Sequence, residues 1–153
     1  MSWWNVVDDF LRQKQVLIEI VPGLFLGGSI RRPDLIQEAG IQVMIDLSGR
    51  WDNPVLADFL EEYHWFGGIV DGPEMPNLDI IHWAASIGVT RLRNGKKVMV
   101  HCFGGHNRAP LILGLILLKM GIMTGREVVL WIQSKVPDSL TNDTFRKYLE
   151  DQA

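Results

Sequence analysis

This 153-residue chain has no means of closing an internal disulfide, because Cys102 is its only cysteine. The fold needs no oxidising compartment, and a cytoplasmic location is expected. Long apolar runs are missing too. The most apolar stretch, PLILGLILLKMG, is too short to span a bilayer. The start, MSWWNVVDDFLRQKQ, carries two acids and lacks the apolar core of a signal peptide. A soluble intracellular protein without a membrane partner is therefore expected. Nor is there an excess of positive charge: 15 basic residues face 18 acidic ones, for a net charge of -3. That gives no general attraction to nucleic acid, and none is expected as a partner. No segment repeats, and none is low in complexity.

What is present reads as one ordinary domain over 1–153, with 47% apolar and 22% charged residues. Residues 1–14 are expected to form an N-terminal helical extension, with Trp3, Trp4, Val7, Phe10 and Leu11 near one stripe. The oligomeric state is not legible, and a monomer is the default.

Short strands are predicted at 16–21 and 24–28, broken by Pro22-Gly23. A short helix follows, with Pro33 in its first turn and Gly40 at its stop. IQVMIDL, 41–47, reads as a strand buried on both faces. ADFLEEY is predicted helical and WFGGIV, 65–70, a strand. The next helix places Leu78, Ile81, Ala85, Val89 and Leu92 on one face and ends at Asn94-Gly95. KKVMVH, 96–101, is another strand. After the turn HCFGGHNR comes a helix, 110–120, apolar nearly all round. Such a helix belongs at the centre of a domain. A capping box at Thr124–Glu127 opens a further helix that stops before Pro137. The last helix starts near Thr141, with Phe145, Tyr148 and Leu149 inward. This alternation predicts an α/β fold: a mostly parallel central sheet with helices on both faces.

In such folds ligands sit at the carboxyl ends of strands. Cys102 stands there, immediately after strand 96–101 and before the central helix. A strand–turn–helix junction offers backbone N–H groups and the positive end of a helix dipole to an anion. Gly104 and Gly105 let the backbone curl around it, and Arg108 can hold two of its oxygens. This geometry fits a phosphate dianion. The same field favours thiolate over thiol, and a thiolate beneath a phosphoryl group is a nucleophile. The leaving oxygen then needs a proton. Asp71 is the first candidate for supplying it, Glu74 the second, and Asp79 falls inside the following helix.

These residues resemble the dual-specificity phosphatases of the cysteine-based protein tyrosine phosphatase superfamily. His101-Cys102, five residues and Arg108 match the Cys-x5-Arg signature. Pro22–Gly27, Val70-Asp71-Gly72-Pro73 and Asn142-Asp143-Thr144-Phe145 are similar to other family segments. The resemblance implies a Cys-x5-Arg phosphate-binding loop between a strand and the central helix. In it Cys102 is the nucleophile, Arg108 the phosphate clamp and Asp71 the general acid. Phe103, Gly104, Gly105, His106, Asn107 and Arg108 would cradle the phosphate, with His106 pointing outward at the rim. His101, Ala109 and Asn142 would support the loop from behind. Neither metal nor organic cofactor is implied. The expected substrate is a phosphorylated protein or peptide, on tyrosine and on serine or threonine, cleaved through a cysteinyl-phosphate. Ala109 departs from the family, which has Ser or Thr there to help sulfur leave.

A slow or inactive phosphate-binding module is kept open by Ala109. Other superfamily members act on phosphoinositides, RNA 5′-phosphates or phosphoglucans, yet Phe103, Gly104, Gly105 and Asn107 lack the lysines that suit a highly charged headgroup. A metal site begun by His101, Cys102 and His106 would have only His64 and His82 to complete it, whereas structural zinc prefers four cysteine or histidine ligands. A cysteine protease has no use for Arg108.

Overall fold

The alternating segments assemble into one five-stranded sheet. A computed structural model describes residues 17–28, 33–48, 58–103 and 106–152. The expected N-terminal helix over 1–14, and Gly104 and Gly105 of the signature turn, lie outside these residues. The strands are β1 (Leu17–Val21), β2 (Leu24–Gly27), β3 (Val43–Asp46), β4 (Glu62–Trp65) and β5 (Val98–His101). Their spatial order is β1-β2-β5-β3-β4. Only β1 and β2 pair antiparallel, across a tight turn in which Gly23 takes φ +85°, a value costly for any residue with a Cβ. β2–β5, β5–β3 and β3–β4 are all parallel.

Alternation along the strands divides the interior. Leu24, Leu26, Val43, Ile45, Val98 and Val100 face one side of the sheet. Phe25, Met44 and Met99 face the other, against Ile36 of helix α1 (Pro33–Glu38) and against Ile41 and Leu60. The larger side is covered by α2 (Leu78–Arg93), α3 (Arg108–Lys119), α4 (Gly125–Lys135) and α5 (Asp143–Glu150). Helices thus cover both faces, unequally.

Helix α3 is the hub, as its all-round apolar sequence requires. Ala109 through Leu117 are all buried, and each fully buried Leu or Ile contributes about 1.5–3 kcal/mol. α2 approaches it closely because Gly88 has no side chain. A Cβ there would stand 2.5 Å from Ile116 Cδ1. Asn77, Thr124 and Asn142 cap α2, α4 and α5 through side-chain oxygens that accept from Ile80, Glu127 and Phe145 N–H groups.

Three expectations are corrected. ADFLEEY is not a helix to its end, because Glu62 and Tyr63 already belong to β4. The strand expected at 65–70 is that same β4, shifted earlier. The chain turns at Gly67-Gly68, and Ile69 and Val70 have no regular structure. The strand is held by partners distant in sequence. Glu62 takes a two-pronged bond from Arg91 of α2, Nε and Nη2 at 2.8 and 2.7 Å, and the Tyr63 hydroxyl donates to Asp46 of β3. Leu78, expected on the inner face of α2, is exposed in its first turn, while Ile81, Ala85 and Val89 are buried.

Candidate phosphate-binding site

β5 is the middle strand and is wholly buried. The Cys102 N–H donates to the Gly27 carbonyl (3.2 Å), so the sheet ladder carries the chain one residue past the strand. Cys102 is 2% exposed. Phe103, in contrast, is 70% exposed. Arg108 opens α3. The cysteine therefore stands at the carboxyl edge of the sheet and the arginine at the N-terminus of the buried helix.

His101 is buried, and its Nδ1 lies 2.6 Å from the Gly28 carbonyl. A carbonyl only accepts, so Nδ1 carries the proton. Nε2 lies 3.5 Å from Asp46 Oδ1, and Asp46 also accepts from the Ser48 N–H at 2.8 Å. The ends of β2, β3 and β5 are thereby tied together beneath the signature turn.

Arg108 is half-buried. Its Nη1 donates to the carbonyls of Leu47 (3.2 Å) and Ile69 (3.5 Å), at the ends of β3 and of the segment after β4. No carboxylate lies within ion-pair distance of it among the described residues, and its other guanidinium nitrogens bond to none of them. A partly buried guanidinium so held has donors to give to an anion.

Asp71 lies six residues beyond β4, in an irregular exposed segment rather than at a strand end. It nevertheless reaches the signature turn. Its Oδ2 accepts from Asn107 Nδ2 at 3.0 Å and its Oδ1 from Asn142 Nδ2 at 2.7 Å. Asn142 Nδ2 also donates to Gly72 O (2.8 Å), and the Thr144 hydroxyl to Pro73 O (2.9 Å). The α4–α5 connection closes the other side. Buried Leu140, in the left-handed conformation (φ 57°), donates its N–H to His106 O at 2.6 Å. His106 is exposed, with Nδ1 3.3 Å from Asp138 O. Between these segments an open cleft of about 450 Å³ is lined by Asp71, Gly72, Pro73, Asn107, Thr141 and Asn142, among others.

The structure thus brings Asp71, Asn107 and Asn142 together, while Arg108 and Cys102 do not line this cleft. Ala109, fully buried in the first turn of α3, lies behind it in the same core cluster as Cys102. Glu74 is exposed and Asp79 sits in the first turn of α2. Sequence reasoning missed the carbonyls of Leu47 and Ile69, the buried Asp46 and Thr141. An acid inside the apolar run IQVMIDL was the available signal for Asp46. Among the described residues no group of three or more His, Cys, Asp or Glu could hold a metal ion. No described helix is long and apolar enough to cross a membrane.

No protein-family model matches the chain. Dual specificity protein phosphatase 12 of Rattus norvegicus is 29% identical over 136 residues, 87% of this chain. The Homo sapiens protein of that name is 27% identical over 138 residues. The chain spans only 40% of the length of these curated relatives. The crystal structure of DUSP15 superimposes with a TM-score of 0.76 at 25% identity, covering 88% of this chain and 85% of that one. Human DUSP28 gives a TM-score of 0.76 at 18% identity, covering 88% and 90%, a likeness of fold. In sequence and in fold alike, the chain is similar to the dual-specificity phosphatases.

Proposed function

We propose that the chain hydrolyses phosphate monoesters, with phosphotyrosine and phosphoserine or phosphothreonine of proteins as substrates, in two covalent steps. The Cys102 thiolate attacks phosphorus and the ester P–O bond breaks. The departing oxygen takes a proton from the Asp71 carboxyl. Water then attacks the cysteinyl-phosphate, Asp71 takes its proton, and the P–S bond breaks to give inorganic phosphate and the thiolate. Arg108 and the amides of Phe103 through Arg108 hold the phosphoryl oxygens throughout. His101 keeps the cysteine loop ordered through its bond to Gly28. No cofactor enters.

The observation that carries this reading is the contact of Asp71 with Asn107, the residue beside Arg108. A carboxyl group distant in sequence meets the turn that bears the guanidinium and the only thiol. Exposed Phe103 at the rim suits an aryl ester. The test is hydrolysis of p-nitrophenyl phosphate by the wild type and by Cys102→Ser. Release of p-nitrophenol that the substitution abolishes is expected. Release that survives it refutes the thiol mechanism.

Ala109 favours a second reading, a phosphate-binding module with little turnover. Such a module binds vanadate or a phosphopeptide while showing neither a burst nor steady hydrolysis.

A further inference from the structure

We propose that Asn107 is a positioning residue, whose side chain latches the acid-bearing segment onto the signature turn. This rests on the reading of Asp71 as the general acid. Asn107 immediately precedes α3, where a side-chain oxygen commonly caps the helix, yet it makes no side-chain cap bond. All its side-chain bonds run sideways instead.

Chemistry fixes the orientation of this amide. Asn107 Oδ1 accepts from the backbone N–H of Asn142 at 2.8 Å, and a backbone nitrogen can only donate. The other end of the amide must then be the NH2 group. That group faces Asp71 Oδ2 at 3.0 Å and Thr141 Oγ1 at 3.2 Å. Reversing the amide would set two acceptors against each other at Asp71 and two donors at Asn142. The same logic orients Asn142, whose Oδ1 accepts from Phe145 N–H while its NH2 group faces Asp71 Oδ1.

Asp71 is thus gripped at both oxygens by amides whose other ends are anchored to backbone N–H groups. The Asn107 grip differs in kind. Among the described residues it alone joins Asp71 directly to the turn holding Cys102 and Arg108, whereas Asn142 joins it to α5. The segment carrying Asp71 has no regular structure of its own, so its placement depends on such bonds. In this structure the carboxyl group contacts the turn at Asn107.

The experiment compares kcat/KM for phenyl phosphate, a poor leaving group that needs the proton, with that for p-nitrophenyl phosphate, which needs it far less. kcat/KM reports the step in which the ester bond breaks, so slow breakdown of the phosphoenzyme does not mask the result. Asn107→Ala and the isosteric Asn107→Asp, which keeps the acceptor for Asn142 N–H and loses the donor, are measured beside Asp71→Asn. Both Asn107 variants are expected to lose about tenfold or more on phenyl phosphate, the scale of one hydrogen bond to a charged group, and much less on p-nitrophenyl phosphate. This repeats in weaker form the pattern of Asp71→Asn. A general loss of structure, or added negative charge repelling phosphate, would lower both substrates alike, and an unchanged ratio overturns the latch. Hydrogen exchange of amides 70–75 separates this failure from that of the phosphatase reading. If the wild type hydrolyses neither ester, faster exchange in Asn107→Ala still establishes the latch, and unchanged exchange overturns it.

Discussion

Ala109→Ser tests whether a missing hydroxyl limits the second chemical step. Position 109 is 0% exposed, in the first turn of α3, and shares a core cluster with Cys102, 2% exposed. A serine hydroxyl placed there has no access to water. If it donates to the sulfur, it stabilises the thiolate as the P–S bond breaks. A hydrogen bond to a charged group is worth about 1.5–3 kcal/mol, which is about one to two powers of ten in that step. If it finds no partner, the buried hydroxyl costs about 1–3 kcal/mol of stability, or about 2–4 °C of Tm per kcal/mol for a chain of this size. The two outcomes are read on one protein. Rapid mixing with p-nitrophenyl phosphate should show a burst in the wild type, followed by slow turnover. In Ala109→Ser the burst should shrink and the steady rate rise, with little change in Tm. A lower Tm with burst and steady rate unchanged would refute the reasoning, since the hydroxyl would then be buried without reaching sulfur.

Arg91, with His64 beside it, holds the Glu62 carboxyl at about 2, against an ordinary value of 4.5. A depressed carboxylate stabilises the fold above the ordinary value, and that contribution is lost as pH falls from about 4.5 through about 2. The pair is about one third exposed, so screening leaves about 1 kcal/mol. Glu62→Gln should remove that much of the acid dependence, measured as urea unfolding at pH 7 and pH 3; equal losses at both values would contradict it. Gly125→Ala is expected to destabilise by about 3 kcal/mol, at the upper end for overpacking. Its Cβ would run into the Leu149 carbonyl and lie 2.7 Å from Gln152 O. Thermal unfolding checks this, and an unchanged Tm would show that α4 and α5 can separate freely.

The parts legible in the sequence were those whose signal is local. β5 and α3 are adjacent, one β-branched and the other apolar on every side, and the turn between them carries Cys102 and Arg108. The cap at Thr124 and the stops at Gly40 and Asn94-Gly95 were equally local. β4 was misplaced because its register is set from outside. Phe59, Leu60 and Tyr63 are spaced as on a helix, and WFGGIV is apolar enough for a strand. The bonds of Tyr63 to Asp46 and Glu62 to Arg91 decide the matter, and neither is visible to a local window. Asp71 follows from its place after an expected strand over 65–70, which the structure puts earlier, and from the resemblance of Val70-Asp71-Gly72-Pro73 to a family segment. The grip of Asn107 and Asn142 on it depends on how three loops meet in space, which no periodicity encodes.

Helix α3 is walled in by α2, α4, α5 and the sheet, so its first turn shares the packing of the core. The exposed side chains around its mouth, Phe103, His106 and Thr141, carry almost none of that packing. On the proposed function, selectivity for one phosphorylated substrate over another can therefore be retuned at these positions with little cost to folding, while exchanges at the foot of the helix trade directly against it.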